Sequence, residues 1–189
     1  MVTSLPNILT YSRIVVIPLV LGTFYVEGET ARWVACGLFG AAAITDFFDG
    51  YLARSRNQVS TLGRFLDPIA DKLLVSAVLL MLAGFHRISE AAFLPAVIIL
   101  CREILVSGLR EFLAELRVRV PVTRLAKWKT AFQFVSLPVL LVGDAGPGFL
   151  PVQEIGEICL WVAAALTLIT GYDYLKAGLH HLRAPVDEG

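Results

Sequence analysis

Four aspartates stand at spacings that suit metal-assisted chemistry on phosphate. Asp46 and Asp49 are three residues apart, and Asp67 and Asp71 are four apart, so within helices each pair projects from one face. The surrounding sequence is apolar enough to sit in lipid, where carboxylates are costly and usually functional. The donors are all oxygens, with no His or Cys nearby. That selects Mg²⁺ or Mn²⁺, or Ca²⁺, over zinc or copper. Four carboxylates exceed what one Mg²⁺ usually takes, so two ions are expected. Paired ions neutralise a diphosphate and leave one carboxylate to take a proton from an attacking hydroxyl. The competing reading makes these aspartates structural ion pairs with Arg54, Arg64 and Lys72, or the lining of a proton path.

Asp46, Asp49, Gly50 and Ala53 follow an i, i+3, i+4, i+7 stripe. The carboxylates therefore share a helix face with two residues that have almost no side chain, which leaves room for a bulky ligand. Gly63 gives the other arm the same close backbone approach. Arg54, just past the stripe, can make a charge-assisted bond to a phosphate oxygen.

The elements that must carry these groups are membrane helices. Hydrophobic residues make up 57% of the 189 and charged residues 17%, with mean hydropathy +0.72. This is not the composition of an ordinary soluble domain. A spanning helix takes roughly 20 mostly apolar residues, and six segments qualify: 8–26, 32–54, 67–85, 91–113, 123–142 and 155–176. They make one all-α integral membrane domain over the whole chain. A soluble bundle would need polar outer faces that Ala91 to Cys101 and Ile158 to Thr170 lack. Asp46 lies 13 residues past Trp33, about 20 Å along its helix. Asp67, with Pro68 directly after it, reads as the cap of the third helix. The turn between the two arms is then Ser55 to Leu62, and both acidic pairs fall at one depth.

Net charge is zero, but its distribution is lopsided. Arg54, Arg56 and Arg64 gather at the second connection, and Arg117, Arg119, Arg124, Lys127 and Lys129 at the fourth. Lys176 and Arg183 mark the C-terminal end. Arg32 and Arg87 are the cations near the opposite connections, which carry Glu27, Glu29, Glu90, Asp144 and Glu154. The positive-inside rule places both termini and the acidic site in the cytoplasm. Cys36, Cys101 and Cys159 stand alone in apolar segments and read as small core residues. The first segment lacks a small-x-small cleavage pattern and reads as a span, not a signal peptide. Gly143 to Pro151 is the one clear loop.

The spacing Asp46-x-x-Asp49-Gly50-x-x-Ala53-Arg54, eight residues, Gly63-x-x-x-Asp67-x-x-x-Asp71 resembles the full signature of the CDP-alcohol phosphotransferases. All eight fixed positions are present over 26 residues. The resemblance implies a six-helix, commonly homodimeric membrane enzyme whose cytoplasm-facing cavity cleaves a CDP-linked lipid. It implies that Asp46, Asp49, Asp67 and Asp71 hold two ions and that Asp71 doubles as general base. Asp49, Gly50 and Ala53 would border the cytidine pocket, with Gly63 giving close approach, and Arg54 would meet the diphosphate.

Arg102-Glu103-Ile104-Leu105-Val106-Ser107-Gly108-Leu109-Arg110-Glu111-Phe112, then Lys127-Trp128-Lys129-Thr130, is similar to the branch of that family that forms phosphatidylglycerophosphate. Pro6-Asn7-Ile8-Leu9-Thr10 with Arg13 matches it too. This implies CDP-diacylglycerol as donor, with Asn7 and Thr10 at its site, and sn-glycerol 3-phosphate as acceptor. Ala126 departs from the Gly that often stands there. Independently, Arg102 lies about 11 residues into the fourth segment, about 16 Å deep, and a buried Arg needs a partner. Glu103 is adjacent but points elsewhere on a helical wheel. Arg110, two turns on, leads toward Lys127 and Lys129. A cationic patch of Arg102, Arg110, Lys127 and Lys129 beside a metal site suits the phosphate of an anionic, water-soluble acceptor, although the lysines could instead anchor headgroups.

Inositol phosphate would fit that cluster as well, whereas inositol or serine would leave it unexplained; a second phosphatidylglycerol is another candidate acceptor. A cation- or proton-coupled transporter would need polar residues on both membrane sides and broken helices near the midplane. No feature points to nucleic acid. Arg13 could snorkel to headgroups, Trp33, Trp128 and Trp161 read as interfacial or lipid-facing, and His86, His180 and His181 as exposed ends. A bacterial inner membrane is the expected location.

Overall fold

The computed structural model describes the backbone of residues 5–56, 61–115 and 124–183. Side chains are described for the same residues except 5–10, 46–56, 61–65, 67, 68, 71, 115 and 177–183. Among the described residues the protein is all helical. The helices are α1 (Leu5–Thr23), α2 (Glu29–Arg56), α3 (Thr61–Gly84), α4 (Glu90–Glu115), α5 (Arg124–Val142) and α6 (Val152–Arg183), with a 3₁₀ turn at Gly143–Ala145. They occupy the six segments expected from sequence. Three contain stretches long and apolar enough to cross a membrane, namely Glu90–Ala114, Arg124–Ala145 and Val152–Lys176. Tyr11–Thr23 and Lys72–Gly84 supply shorter apolar stretches. The protein is an integral membrane protein built on helices, the form in which every backbone polar group can be satisfied within lipid.

Helix α3 corrects one expectation. It starts at Thr61, so Asp67 is not its cap and Pro68 lies within the helix. The connection between α2 and α3 shrinks accordingly to residues 57–60, which lie outside the described residues. Arg117 and Arg119 also lie outside them.

Helix α1 packs against both α2 and α3, α5 against α2 and α6, and α4 chiefly against α6. The core is polarised along the bundle. Val20 of α1 and Phe24 just past it, Ala35 and Phe39 of α2, Leu79 and Leu82 of α3, and Ile99 of α4 meet Leu137, Leu140, Leu141 and Leu160 in one apolar cluster. These come from the halves of the helices remote from the acidic motif. At Gly156 a Cβ would lie 2.7 Å from Leu140 Cδ2, so glycine lets α5 and α6 approach. Ser136 Oγ donates to the Gly156 carbonyl across the same contact, at 2.8 Å. Apolar side chains such as Val15, Leu80, Phe93, Ile104, Ile158 and Leu168 lie on the outside, as a lipid solvent allows. Cys101 is exposed too, while Cys36 and Cys159 are half-buried; the first belongs to the lipid-facing surface and not to the core.

The apolar end is closed by polar contacts between connections. Arg32 pairs with Asp144 at 3.2 Å, and Trp33 Nε1 donates to the Ala145 carbonyl at 3.2 Å. Ser89 caps α4, its Oγ accepting from the Ala92 N–H at 3.2 Å, and it donates through Oγ and N–H to the Glu157 carboxylate at 2.7 and 2.8 Å. The Arg87 guanidinium lies 4.4 Å from the Phe24 ring centre. Burial and the nearby Arg32 lower its pKa, while Asp144 works the other way.

Candidate active site

The two acidic pairs occupy the ends of α2 and α3 that adjoin one short connection. Asp49 precedes the end of α2 by seven residues, about 10 Å of helix, and Asp67 follows the start of α3 by six, about 9 Å. Arg56 and Thr61 can be no more than about 18 Å apart. Both pairs therefore lie at comparable distances from the connection, at the end opposite the apolar cluster. The side chains of Asp46, Asp49, Arg54, Asp67, Asp71, Asn7 and Thr10, with positions Gly50, Ala53 and Gly63, lie outside the described side chains. Among the described side chains, no three carboxylate, imidazole or thiol groups gather as a ligand set.

Beside this end the interior turns polar. Arg13, Lys129, Gln133, Thr167 and Thr170 are buried there. Arg13 is only 2% exposed, so it does not reach out to headgroups. Lys72 of α3 donates to Ser107 Oγ of α4. Lys72, Glu103, Lys129, Thr130 and Gln133 line a cavity of about 70 Å³, room for about two waters.

The basic residues expected to form one patch divide in two. Arg110 and Lys127 are exposed. Arg102 and Lys129 have side chains 12% and 6% exposed and share one carboxylate, that of Glu103. Arg102 Nη1 lies 3.4 Å from Glu103 Oε1, and Lys129 Nζ is bonded to the same oxygen. This corrects the expectation that Glu103 points away. Neighbouring helix positions diverge at Cβ, but two long side chains can still converge beyond it, and α5 adds the second cation. Lys129 is correspondingly no headgroup anchor. Arg102 Nη2 also donates to Thr170 Oγ1 of α6, at 3.1 Å. Its Nε is buried and has no hydrogen-bond acceptor among the described residues, an arrangement that costs about 1–3 kcal/mol.

Sequence reasoning turned Glu103 away from Arg102, quoted Ser107 only within a motif, and passed over Thr170 and Gln133. A signal existed for one of them: Thr167, Thr170 and Gly171 form a small, polar stripe at i, i+3, i+4 in an otherwise apolar helix.

Residues 3–169 match the family described as CDP-alcohol phosphatidyltransferase. A CDP-diacylglycerol–glycerol-3-phosphate 3-phosphatidyltransferase of Rickettsia felis is 51% identical over 92% of this chain and 94% of its own length. The enzyme of that name from Rickettsia typhi is 52% identical over 92% and 96%. A cardiolipin synthase (CMP-forming) of Oryza sativa is 37% identical over 92% of this chain and 56% of its own. The chain belongs to the CDP-alcohol phosphatidyltransferase family, as the eight-position signature implied. It is an enzyme, and the transporter reading falls.

Proposed function

We propose that this protein transfers the phosphatidyl group of CDP-diacylglycerol to the 1-hydroxyl of sn-glycerol 3-phosphate, giving phosphatidylglycerophosphate and CMP. The observation that carries the reading is the complete acidic signature at one end of α2 and α3, beside the Arg102–Glu103–Lys129 cluster of α4 and α5. That it stands in a chain about half identical to relatives bearing that activity's name supports the acceptor.

The donor set is all carboxylate, which fits Mg²⁺ or Mn²⁺. Asp46, Asp49, Asp67 and Asp71 would hold two such ions, and bound there they neutralise diphosphate charge. Asp71 accepts the proton of the acceptor hydroxyl. The oxygen so freed attacks the phosphorus that bears diacylglycerol, and the bond from that phosphorus to the CMP oxygen breaks. Arg54 binds the departing phosphate by a charge-assisted bond. Asn7, Thr10, Asp49, Gly50, Ala53 and Gly63 border the nucleotide lipid. Arg102, Arg110, Lys127 and Lys129 draw in the acceptor's phosphate, the exposed pair meeting it first. The six helices all span, with both termini and the site facing the cytoplasm of a bacterial inner membrane, and two copies form the working unit.

Purified protein in detergent with CDP-diacylglycerol and Mg²⁺ tests this directly. It is challenged with glycerol 3-phosphate, inositol phosphate, inositol, serine and phosphatidylglycerol, and CMP release is read for each. Glycerol 3-phosphate should be turned over fastest. Faster CMP release with any other acceptor contradicts the assignment.

A further inference from the structure

Helix α6 carries none of the signature motifs, yet it touches Arg102, one of the two enclosed cations of the acceptor cluster. Thr170 is fully buried. Its hydroxyl donates within α6, to the Leu166 carbonyl at 2.9 Å, which leaves its oxygen lone pairs toward Arg102 Nη2 at 3.1 Å. The next residue is glycine, and a Cβ there would lie 3.3 Å from Arg102 Cγ and 3.8 Å from Nε. The arginine stem therefore lies along the bare backbone of α6. Its far end is held on one side by Thr170 and on the other by Glu103. A long side chain with about 2 kcal/mol of rotamer freedom is thus reduced to one pose by three residues from two helices.

We infer that Thr170, Gly171 and Glu103 are positioning residues that fix the Arg102 guanidinium for the acceptor's phosphate, making α6 part of the acceptor site. The inference rests on the reading above that Arg102 serves the acceptor. Glu103 has a second role in the same brace. It is shared with Lys129, so the carboxylate sets the spacing of two cations contributed by α4 and α5, and it keeps them from repelling each other before the anion arrives. Placement of this kind acts on acceptor binding and leaves the nucleotide lipid alone, because removing a fixed pose misplaces one charge without removing it.

The test is initial-rate CMP release by the purified full chain, with each substrate varied in turn. It uses Thr170→Val, Thr170→Ser, Gly171→Ala, Arg102→Ala and the double variant Arg102→Ala/Thr170→Val. Thr170→Val should raise KM for glycerol 3-phosphate about tenfold, with KM for CDP-diacylglycerol within about twofold, since one hydrogen bond to a charged group is lost. Thr170→Ser keeps the hydroxyl and should restore the wild-type KM. Gly171→Ala should shift the same KM in the same direction by pushing the arginine stem aside. In the Arg102→Ala background Thr170→Val should add no further loss, because the two act as one unit. Equal losses toward both substrates, or an undiminished Thr170→Val effect without Arg102, overturn the brace. An Arg102→Ala variant with unchanged glycerol 3-phosphate KM instead overturns the underlying acceptor assignment. Should Thr170→Val not fold, Gly171→Ala decides by the same split between substrates.

Discussion

Lys127 and Lys129 are two residues apart on α5 and have opposite surroundings. Lys127 is exposed, whereas Lys129 is buried against Glu103. Removing Lys129 leaves Glu103 paired with Arg102 and takes away one hydrogen bond to a charged group, about 1.5–3 kcal/mol. Lys129→Ala should therefore lower stability on that scale, and Lys127→Ala by no more than about 0.5 kcal/mol, both read as thermal unfolding in detergent. Equal shifts would contradict the pairing. Asp71→Asn keeps the size of the side chain and removes its basicity. It should reduce CMP release at least about 10²-fold while CDP-lipid binding stays measurable, and wild-type turnover in that variant would remove the base assignment. Arg110→Ala, at an exposed cation, should raise the requirement for glycerol 3-phosphate far more than for the nucleotide lipid. At this scale the sequence was legible where a motif fixes residue type and spacing, as in the eight-position signature that gave the family. It was not legible where side chains from different helices meet. A helical wheel separates Arg102 from Glu103, and the wheel says nothing of Lys129 arriving from α5. Arg13 stayed open between snorkelling and a site role with Asn7 and Thr10 for a related reason, since hydropathy places its Cα but not the neighbours that enclose it.

The helices themselves were legible because lipid demands long apolar runs, and the polar connections between them are conspicuous. The ends of α4 and α5 fall within a residue or two of the expected positions. α3 differs because Pro68 fits a first turn by its missing N–H, yet a membrane helix can carry a proline further in. Close approach between elements is the part that composition hides. At Gly156 a methyl group would meet Leu140 and Val139, and Leu140 is fully buried. Gly156→Ala should cost about 1–3 kcal/mol, measured as a fall in unfolding temperature with little change in either KM. No change in stability would mean that α5 and α6 part easily, against the contact observed.

Across the whole molecule, polarity changes along the bundle axis. One end is an apolar cluster closed by Arg32–Asp144 and Ser89–Glu157; the other holds buried cations, a small polar cavity and the helix ends that bear the four aspartates. Such an arrangement gives a membrane enzyme a stable half and a reactive half. In the orientation proposed above, the lopsided distribution of Lys and Arg turns the reactive half inward. A cysteine introduced after residue 183 should be labelled by a membrane-impermeant thiol reagent only once cells are opened, while one in the 146–150 loop should be labelled on intact cells. The reverse pattern would invert the proposed orientation. The central claim is that the acidic residues of α2 and α3 converge on shared cations, and Mn²⁺ titration of the purified protein by electron paramagnetic resonance tests it most directly. Two bound ions per chain are predicted, with binding lost or halved in Asp46→Asn, Asp49→Asn, Asp67→Asn and Asp71→Asn alike. Mn²⁺ binding that is unchanged when residues of both pairs are replaced would contradict it.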